Sequence, residues 1–346
     1  MLLNKLKKQV ERLKLNLKGK VVLTEAASGA YVVTPIIAAL AGAKVYAFTK
    51  DTRYGTAEEI ILNTKKIIEA YKEEQLDVTF IEELTPEIIE SADIITNSGH
   101  LRPLDEHKLK YAKEGVVIPL MYEAWEWREA DLDINFVKSK NIRIGATNER
   151  HKSVDVFNYL GDMAIKQIFD AGFCPYNNNF ILICNNDFGP FISKTVSKVC
   201  SNLAVIDKDE NKNKYDLTGI DWIGGFPSID IPEKYKNSEA IIFTAYPFDQ
   251  DWIGGEGVID VDSLVKQVHN PTILRYCGDI NEADLTDKNI NFYPKHVKSG
   301  HMGILPSEIG FDPIIRLQSG GLKVGELLLN QEEFLDSERL VDKIDS

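Results

Sequence analysis

The sequence predicts an α/β protein built of two parallel-sheet domains, and three observations carry that reading. Strand-like apolar runs alternate with helical patterns along the chain, which is the mark of a parallel, helix-covered sheet. The series occurs twice, and both halves open on the same plan of strand, turn, helix, strand and acid. With 346 residues the chain is also long for one core, so two domains of ordinary size are expected.

The first series has strands at Val21–Leu23, Lys44–Phe48, Val78–Ile81, Ile94–Thr96, Val116–Leu120 and Ile142–Ile144, with helical spacing over Ala57–Tyr71 and Asp105–Lys113. Ahead of it, Leu2, Leu6, Val10, Leu13 and Leu17 fall at near-helical spacing among basic residues, as in an amphipathic packing helix. A helix from about Val154 to Phe169 leads to the second series: Phe180–Ile183, Leu203–Ile206, Asp221–Ile223, Ala240–Thr244, Thr272–Arg275 and Ile290–Tyr293. The domains are therefore set at 1–153, flavodoxin-like and joined by a C-terminal helix over 318–346, and 154–317, Rossmann-like. The cleft between them is the default ligand site. The charged tail from Gln331 is expected to be a surface helix.

Composition narrows the partners. Hydrophobic content of 44% with 27% charged residues suits a soluble globular protein, and a net charge of -13 disfavours nucleic acid and anionic membrane. Cys174, Cys184, Cys200 and Cys277 form no C-x-x-C pair, so reduced cytoplasmic thiols are expected and no metal site. The uncharged stretch Ala26–Ala43 approaches the ~18 residues of a membrane span. It holds Ser28, Gly29, Thr34, Pro35 and Gly42, however, and follows a strand. A buried loop and helix is the expectation, with no membrane partner.

The second half opens on the layout of a dinucleotide-binding turn with two glycines replaced. After Phe180–Ile183, the three glycine places of G-x-G-x-x-G hold Cys184, Asn186 and Gly189. The first glycine makes the tight bend, the second admits a pyrophosphate, and the third lets helix and strand pack closely. Only the packing glycine remains. Asp207, after the next strand, stands where an acid binds a ribose hydroxyl. Asn185, Asn186, Asp187, Phe188, Gly189, Asp207, Tyr246 and Pro247 are thus the candidate cofactor residues, with NAD the expected cofactor. The turn Thr24–Gly29 in the first half repeats the arrangement and likewise keeps only the third glycine.

Three loops follow predicted strands, where open α/β sheets bind their ligands. Ser98, Gly99, His100 and Arg102 offer backbone N–H groups and charge; Tyr122, Glu123 and Trp125 gather aromatic and acidic groups; Lys50 and Arg53 could meet an anion, while Thr56 caps the helix at Ala57. There is no G-K-[ST] phosphate loop, no H-E-x-x-H and no G-x-S-x-G elbow.

In order, Ala92–His100, Leu104–Leu109, Asp131–Ile144, Ser238–Pro247, Gly257–Leu264, Thr272–Arg275 and Tyr293–Gly303 resemble the D-isomer-specific 2-hydroxyacid dehydrogenases. The architecture of that family is shared with formate and glycerate dehydrogenases and S-adenosylhomocysteine hydrolase. The resemblance implies two domains flanking a cleft, NAD, a homodimer, and a small anionic 2-hydroxy or 2-keto acid as substrate. It also implies an Arg clamp and a His base, matched most nearly by Arg275 and by His296 or His301, and a Glu for which this chain has no counterpart. A His pKa suits proton transfer, and the guanidinium fork suits a carboxylate. Two alternatives stay open: a non-redox metabolite-binding or regulatory protein with an altered cofactor site, and a hydrolase-like enzyme that uses NAD transiently.

Overall fold

A computed structural model describes residues 2–70 and 75–344, in two compact units: Met1–Val156 with Gly310–Ser346, and Phe157–Ile309. In the first unit, β1 (Val21–Glu25), β2 (Lys44–Phe48), β3 (Val78–Ile81), β4 (Ile94–Ile95), β5 (Val117–Pro119) and β6 (Arg143–Thr147) form a parallel sheet in the order β3-β2-β1-β4-β5-β6. A C-terminal strand, Val341–Asp342, adds to β6 antiparallel. This is the doubly wound 3-2-1-4-5-6 order and not the 2-1-3-4-5 order of a flavodoxin-like sheet. Alternate side chains feed two layers. Val22, Val45, Ile94 and Val117 pack on one face; Leu23, Ile95, Ile118 and Ala146 pack on the other.

On the first face lie the helices Val33–Leu40 and Phe311–Asn330. The uncharged stretch thus becomes a 3-10 turn and a helix buried at Val33 to Ala39. No helix among the described residues is long and apolar enough to cross a membrane. Phe311–Asn330 approaches the sheet closely because it carries glycines: a Cβ at Gly321 would sit 2.5 Å from the Met121 sulfur.

In the second unit, β7 (Asn179–Cys184), β8 (Asn202–Ile206), β9 (Asp221–Trp222), β10 (Ala240–Thr244), β12 (Thr272–Cys277) and β14 (Asn291–Tyr293) are ordered β9-β8-β7-β10-β12-β14, again 3-2-1-4-5-6 and parallel. Between them, β11 (Asp251–Ile253) pairs with β13 (Asp279–Ile280). The expected helices at Ala57–Tyr71 and Asp105–Lys113 shorten to Ala57–Glu69 and Glu106–Leu109, and Tyr71 lies outside the described residues. Thr56 caps the former as expected, accepting the Glu59 N–H at 3.2 Å.

The tail departs from expectation. The last helix ends at Asn330 with Gln331 left-handed at φ 62, and Phe334–Leu335 and Glu338–Arg339 then pair as a hairpin. Asp336 and Ser337, at φ 51 and 67, form its two-residue turn. Asp345 and Ser346 lie outside the described residues.

Candidate functional site

In the second unit the strand order reverses between β7 and β10, and ligands of open α/β sheets bind in the crevice at such a point. Asn185, leaving β7, bridges it. Its amide nitrogen donates to the Tyr246 carbonyl at 3.1 Å, and its amide oxygen accepts the Tyr246 N–H at 2.7 Å. Asn186 donates to Thr244 Oγ1 at 3.1 Å and accepts the Phe188 N–H at 3.0 Å, so its side chain fills part of the turn where a glycine would leave room for a phosphate. Asp187, Tyr246 and Pro247 are exposed at the same edge, and Asp187 pairs with Lys214. Phe188 turns inward, buried edge-on against Phe157 and Tyr276. Seven of the eight residues assigned to a cofactor therefore gather here, five of them with groups at the surface; Phe188 and Gly189 are buried.

Asp207 is the exception. It is fully buried, and its carboxylate accepts from Tyr215 Oη at 2.6 Å, Asn211 Nδ2 at 3.0 Å and the Lys208 N–H at 2.6 Å. Burial raises its pKa, while those hydrogen bonds oppose the shift. The carboxylate expected at a ribose is engaged by the protein itself. Gly189 explains the geometry: a Cβ there would lie 2.1 Å from the Tyr215 hydroxyl and 2.6 Å from Cys184 Sγ. Tyr215 and Cys184 thus use the space that the third glycine provides. Cys184 is buried, and burial pushes its thiol far up.

The three candidates for chemistry separate. Arg275 is 2% exposed in β12, where its guanidinium donates to the Gly278 carbonyl at 3.1 Å and the Val297 carbonyl at 3.2 Å and pairs with Asp279. Asp279 also accepts from the Ser299 hydroxyl and from the Gly300 N–H at 3.2 Å. Arg275 therefore anchors the loop over 297–300 and does not present its fork to a ligand. His301 rides on that loop. Its Nδ1 lies 3.0 Å from the Ser299 carbonyl, which can only accept, so the neutral ring holds its lone pair on Nε2. The same loop abuts the exit of β10, since a Cβ at Gly300 would sit 3.4 Å from the Asp249 Cβ. His296 stands apart with its side chain 90% exposed, 3.6 Å from Glu282.

In the first unit the reversal falls between β1 and β4, and the predicted substrate loops meet near it. Asn97 is the hub: its amide donates to Tyr122 Oη at 3.0 Å and accepts from Arg102 Nε at 2.8 Å, and Arg102 stacks over the Tyr122 ring at 4.9 Å. Arg102 also pairs with Asp131 at 3.5 Å. Ser98 continues a hydroxyl ladder through Thr96 to Thr24. The His100 N–H donates to Glu25 at 2.9 Å, and a Cβ at Gly99 would lie 3.3 Å from the same carboxylate. Glu123 accepts from Trp125 Nε1 at 2.7 Å and from the Glu149 N–H at 3.2 Å, with Arg150 at 3.6 Å. Arg53 does not join this network; it stacks on its exposed neighbour Tyr54.

The sequence reading missed Glu25, Tyr31, Glu126 and Glu149 here, and Tyr215 and Asp279 in the second unit. Burial raises the carboxyl of Glu126 to about 7, and raises those of Glu123 and Glu149. It pushes the Tyr31 phenol up to about 12, with Glu25, Glu149 and Glu126 adding to the shift. Glu25 and Glu149 each sit at the carboxyl end of a strand, and that position was the only signal available. The described residues hold no cluster of His, Cys, Asp and Glu arranged for a metal.

Two parallel sheets, each in the order 3-2-1-4-5-6, define a protein of two doubly wound α/β units. Among solved structures, it is similar to a dipicolinate synthase chain from Bacillus halodurans, at 10% identity over 91% of this chain and 98% of that one, with a TM-score of 0.54. It is also similar to a transhydrogenase from Sinorhizobium meliloti, at 13% identity over 90% and 95%, with a TM-score of 0.51. An NAD-dependent formate dehydrogenase from Staphylococcus aureus, in complex with NAD, aligns over 94% and 99% at 11% identity, with a TM-score of 0.43. No family model and no curated protein sequence matches the chain. At this identity the likeness is one of fold, and it agrees with the two-domain architecture that the sequence resemblance implied.

Proposed function

We propose that the chain is an NAD(H)-dependent oxidoreductase of a small polar metabolite, with Phe157–Ile309 as its cofactor unit and the remainder as its metabolite unit. The observation that carries this reading is the strand order β9-β8-β7-β10-β12-β14, whose reversal point collects Asn185, Asn186, Asp187, Gly189, Tyr246 and Pro247. The fit to a dinucleotide is divided. The exposed amide, phenol and backbone groups at this edge suit its ribose and phosphate oxygens, whereas Asp207 has no free carboxylate oxygen to offer. When bound, NAD supplies the hydride acceptor and donor. Asn185 and Tyr246 would hold it, and His301, with a lone pair on Nε2, would take or return the metabolite's proton.

The sequence resemblance implies a 2-hydroxy or 2-keto acid, but Arg275, the clamp it implies for the carboxylate, is engaged by Asp279, and Arg102 of the predicted substrate loop by Asn97 and Asp131. The metabolite is therefore proposed only as small and polar. One observation favours a second reading, a binding or regulatory protein on the same fold without hydride chemistry: the burial of Asp207 under Tyr215 and Asn211.

Denaturing the purified protein, searching the supernatant for dinucleotide by mass spectrometry, and titrating NADH by its fluorescence tests the proposal. Saturable NADH binding or released dinucleotide supports it. No release together with no binding at millimolar NADH contradicts it and leaves the second reading.

A further inference from the structure

An acid in the place of Asp207 holds the ribose hydroxyls of a dinucleotide, and by like-charge repulsion it also excludes a ribose that bears a 2′-phosphate. Neither effect operates at the surface of this chain. Asp207 is fully buried, and both of its carboxylate oxygens are taken, Oδ1 by the Lys208 N–H and Asn211 Nδ2, and Oδ2 by Tyr215 Oη. The exit of β8 presents to solvent the next residue, Lys208.

The 3-10 stretch Asp209–Lys214 sorts the charges that follow. Side chains three residues apart eclipse in such a helix, so its residues fall on three sides. Asn211 and Lys214 share one side; they reach Asp207 at 3.0 Å and Asp187 at 2.9 Å, so this side faces the turn after β7. Asp209 and Lys212 share the second, where the Gly225 N–H, past β9, donates to Asp209 at 3.2 Å. Glu210 and Asn213 fall on the third. Lys214 neutralises Asp187, and both side chains are half exposed, so the pair is weak enough to yield to a stronger anion. Lys208 makes no ion pair and no side-chain hydrogen bond with any described residue. The ribose place thus carries one unpaired ammonium, one exchangeable ammonium, and no free carboxylate on the side that faces the turn.

We infer that the second unit admits a 2′-phosphate on the adenosine ribose, receives it on Lys208 with Lys214 beside it, and therefore binds NADPH more tightly than NADH. This rests on the reading of Phe157–Ile309 as the cofactor unit and gives that cofactor a chemical class. NADH still binds through Asn185 and Tyr246, without the charge-assisted contact that a phosphate makes with an ammonium.

Dissociation constants for NADPH and NADH, measured by fluorescence on the full-length wild type, Lys208→Ala and Lys208→Arg at low salt, test it. The constant for NADPH is expected about tenfold below that for NADH. Because the contact is exposed, raising the salt to about 0.3 M should narrow the gap. Lys208→Ala should bring the NADPH constant up toward that of NADH while leaving NADH within about twofold, and Lys208→Arg, which keeps the charge, should keep the gap. An NADPH constant equal to or above that for NADH overturns the inference and leaves the cofactor reading standing, as does a gap that survives in Lys208→Ala. If neither dinucleotide binds at millimolar concentration, the cofactor reading fails and this inference with it.

Discussion

Asp207 occupies the place of a ribose-binding acid, yet its carboxylate faces Tyr215, Asn211 and its own backbone neighbour. Position along a strand was legible in the sequence; the direction of a side chain was not. Tyr215, which decides that direction, lies eight residues on, just past a 3-10 stretch that carries no periodic signal. Gly189 shows the opposite case. Its identity as a packing glycine could be read from spacing alone, and the structure names what it packs against. Gly189→Ala should therefore cost about 1–3 kcal/mol by overpacking Tyr215 and Cys184, as measured by urea denaturation. The carboxylates of the first unit make a separate prediction. Glu126 is raised from 4.5 to about 7, and Glu123 and Glu149 are raised as well, all first by burial. The folded state then binds protons that the unfolded chain has already released, so this contribution to stability is full below about 4.5 and is lost as pH rises through 7. Exposed carboxyls with lowered values, such as Asp221 and Asp262, titrate below that window and do not mask it. Thermal unfolding should show stability falling from about pH 5 to about pH 8 in the wild type, and falling less in Glu126→Gln. Equal slopes in both proteins would remove Glu126 from this account.

At the scale of elements, the long apolar runs were the legible part. The strands Lys44–Phe48, Val78–Ile81 and Ala240–Thr244 have the bounds that alternation and burial predict. The short pair Asp251–Ile253 and Asp279–Ile280 was not legible, because two or three residues carry no period. It is nonetheless this second segment that brings Asp279 to Arg275 and fixes the loop bearing His301. The pair is buried, with side chains 3% and 9% exposed, so removing one member leaves an uncompensated charge. Arg275→Met should destabilise the protein by roughly 3–5 kcal/mol in chemical denaturation. A loss under about 1 kcal/mol, the value of an exposed pair, would show that Asp279 is held by other groups. The tail was misjudged for a related reason: its charges suggested a surface helix, whereas Gln331 in the left-handed region stops the helix and the Asp336-Ser337 turn starts a hairpin.

Across the whole molecule, two sheets share the order 3-2-1-4-5-6. The repeated opening of strand, turn, helix and strand was enough to expect two related units. Strand order itself was not, because apolar runs do not say which neighbours pair. Each reversal point assembles most of the residues that sequence position suggested, Asn185 with Tyr246 in one unit and Asn97 with Tyr122 and Arg102 in the other. The central claim is that the second unit holds NAD(H) through the exposed groups at its reversal point and not through Asp207. The NADH dissociation constants of the wild type, Asn185→Ala and Asp207→Asn, measured by fluorescence on samples shown to be folded, test it most directly. The account predicts that Asn185→Ala weakens binding about tenfold while Asp207→Asn leaves it within about twofold. A dissociation constant unchanged in Asn185→Ala but strongly raised in Asp207→Asn would contradict it.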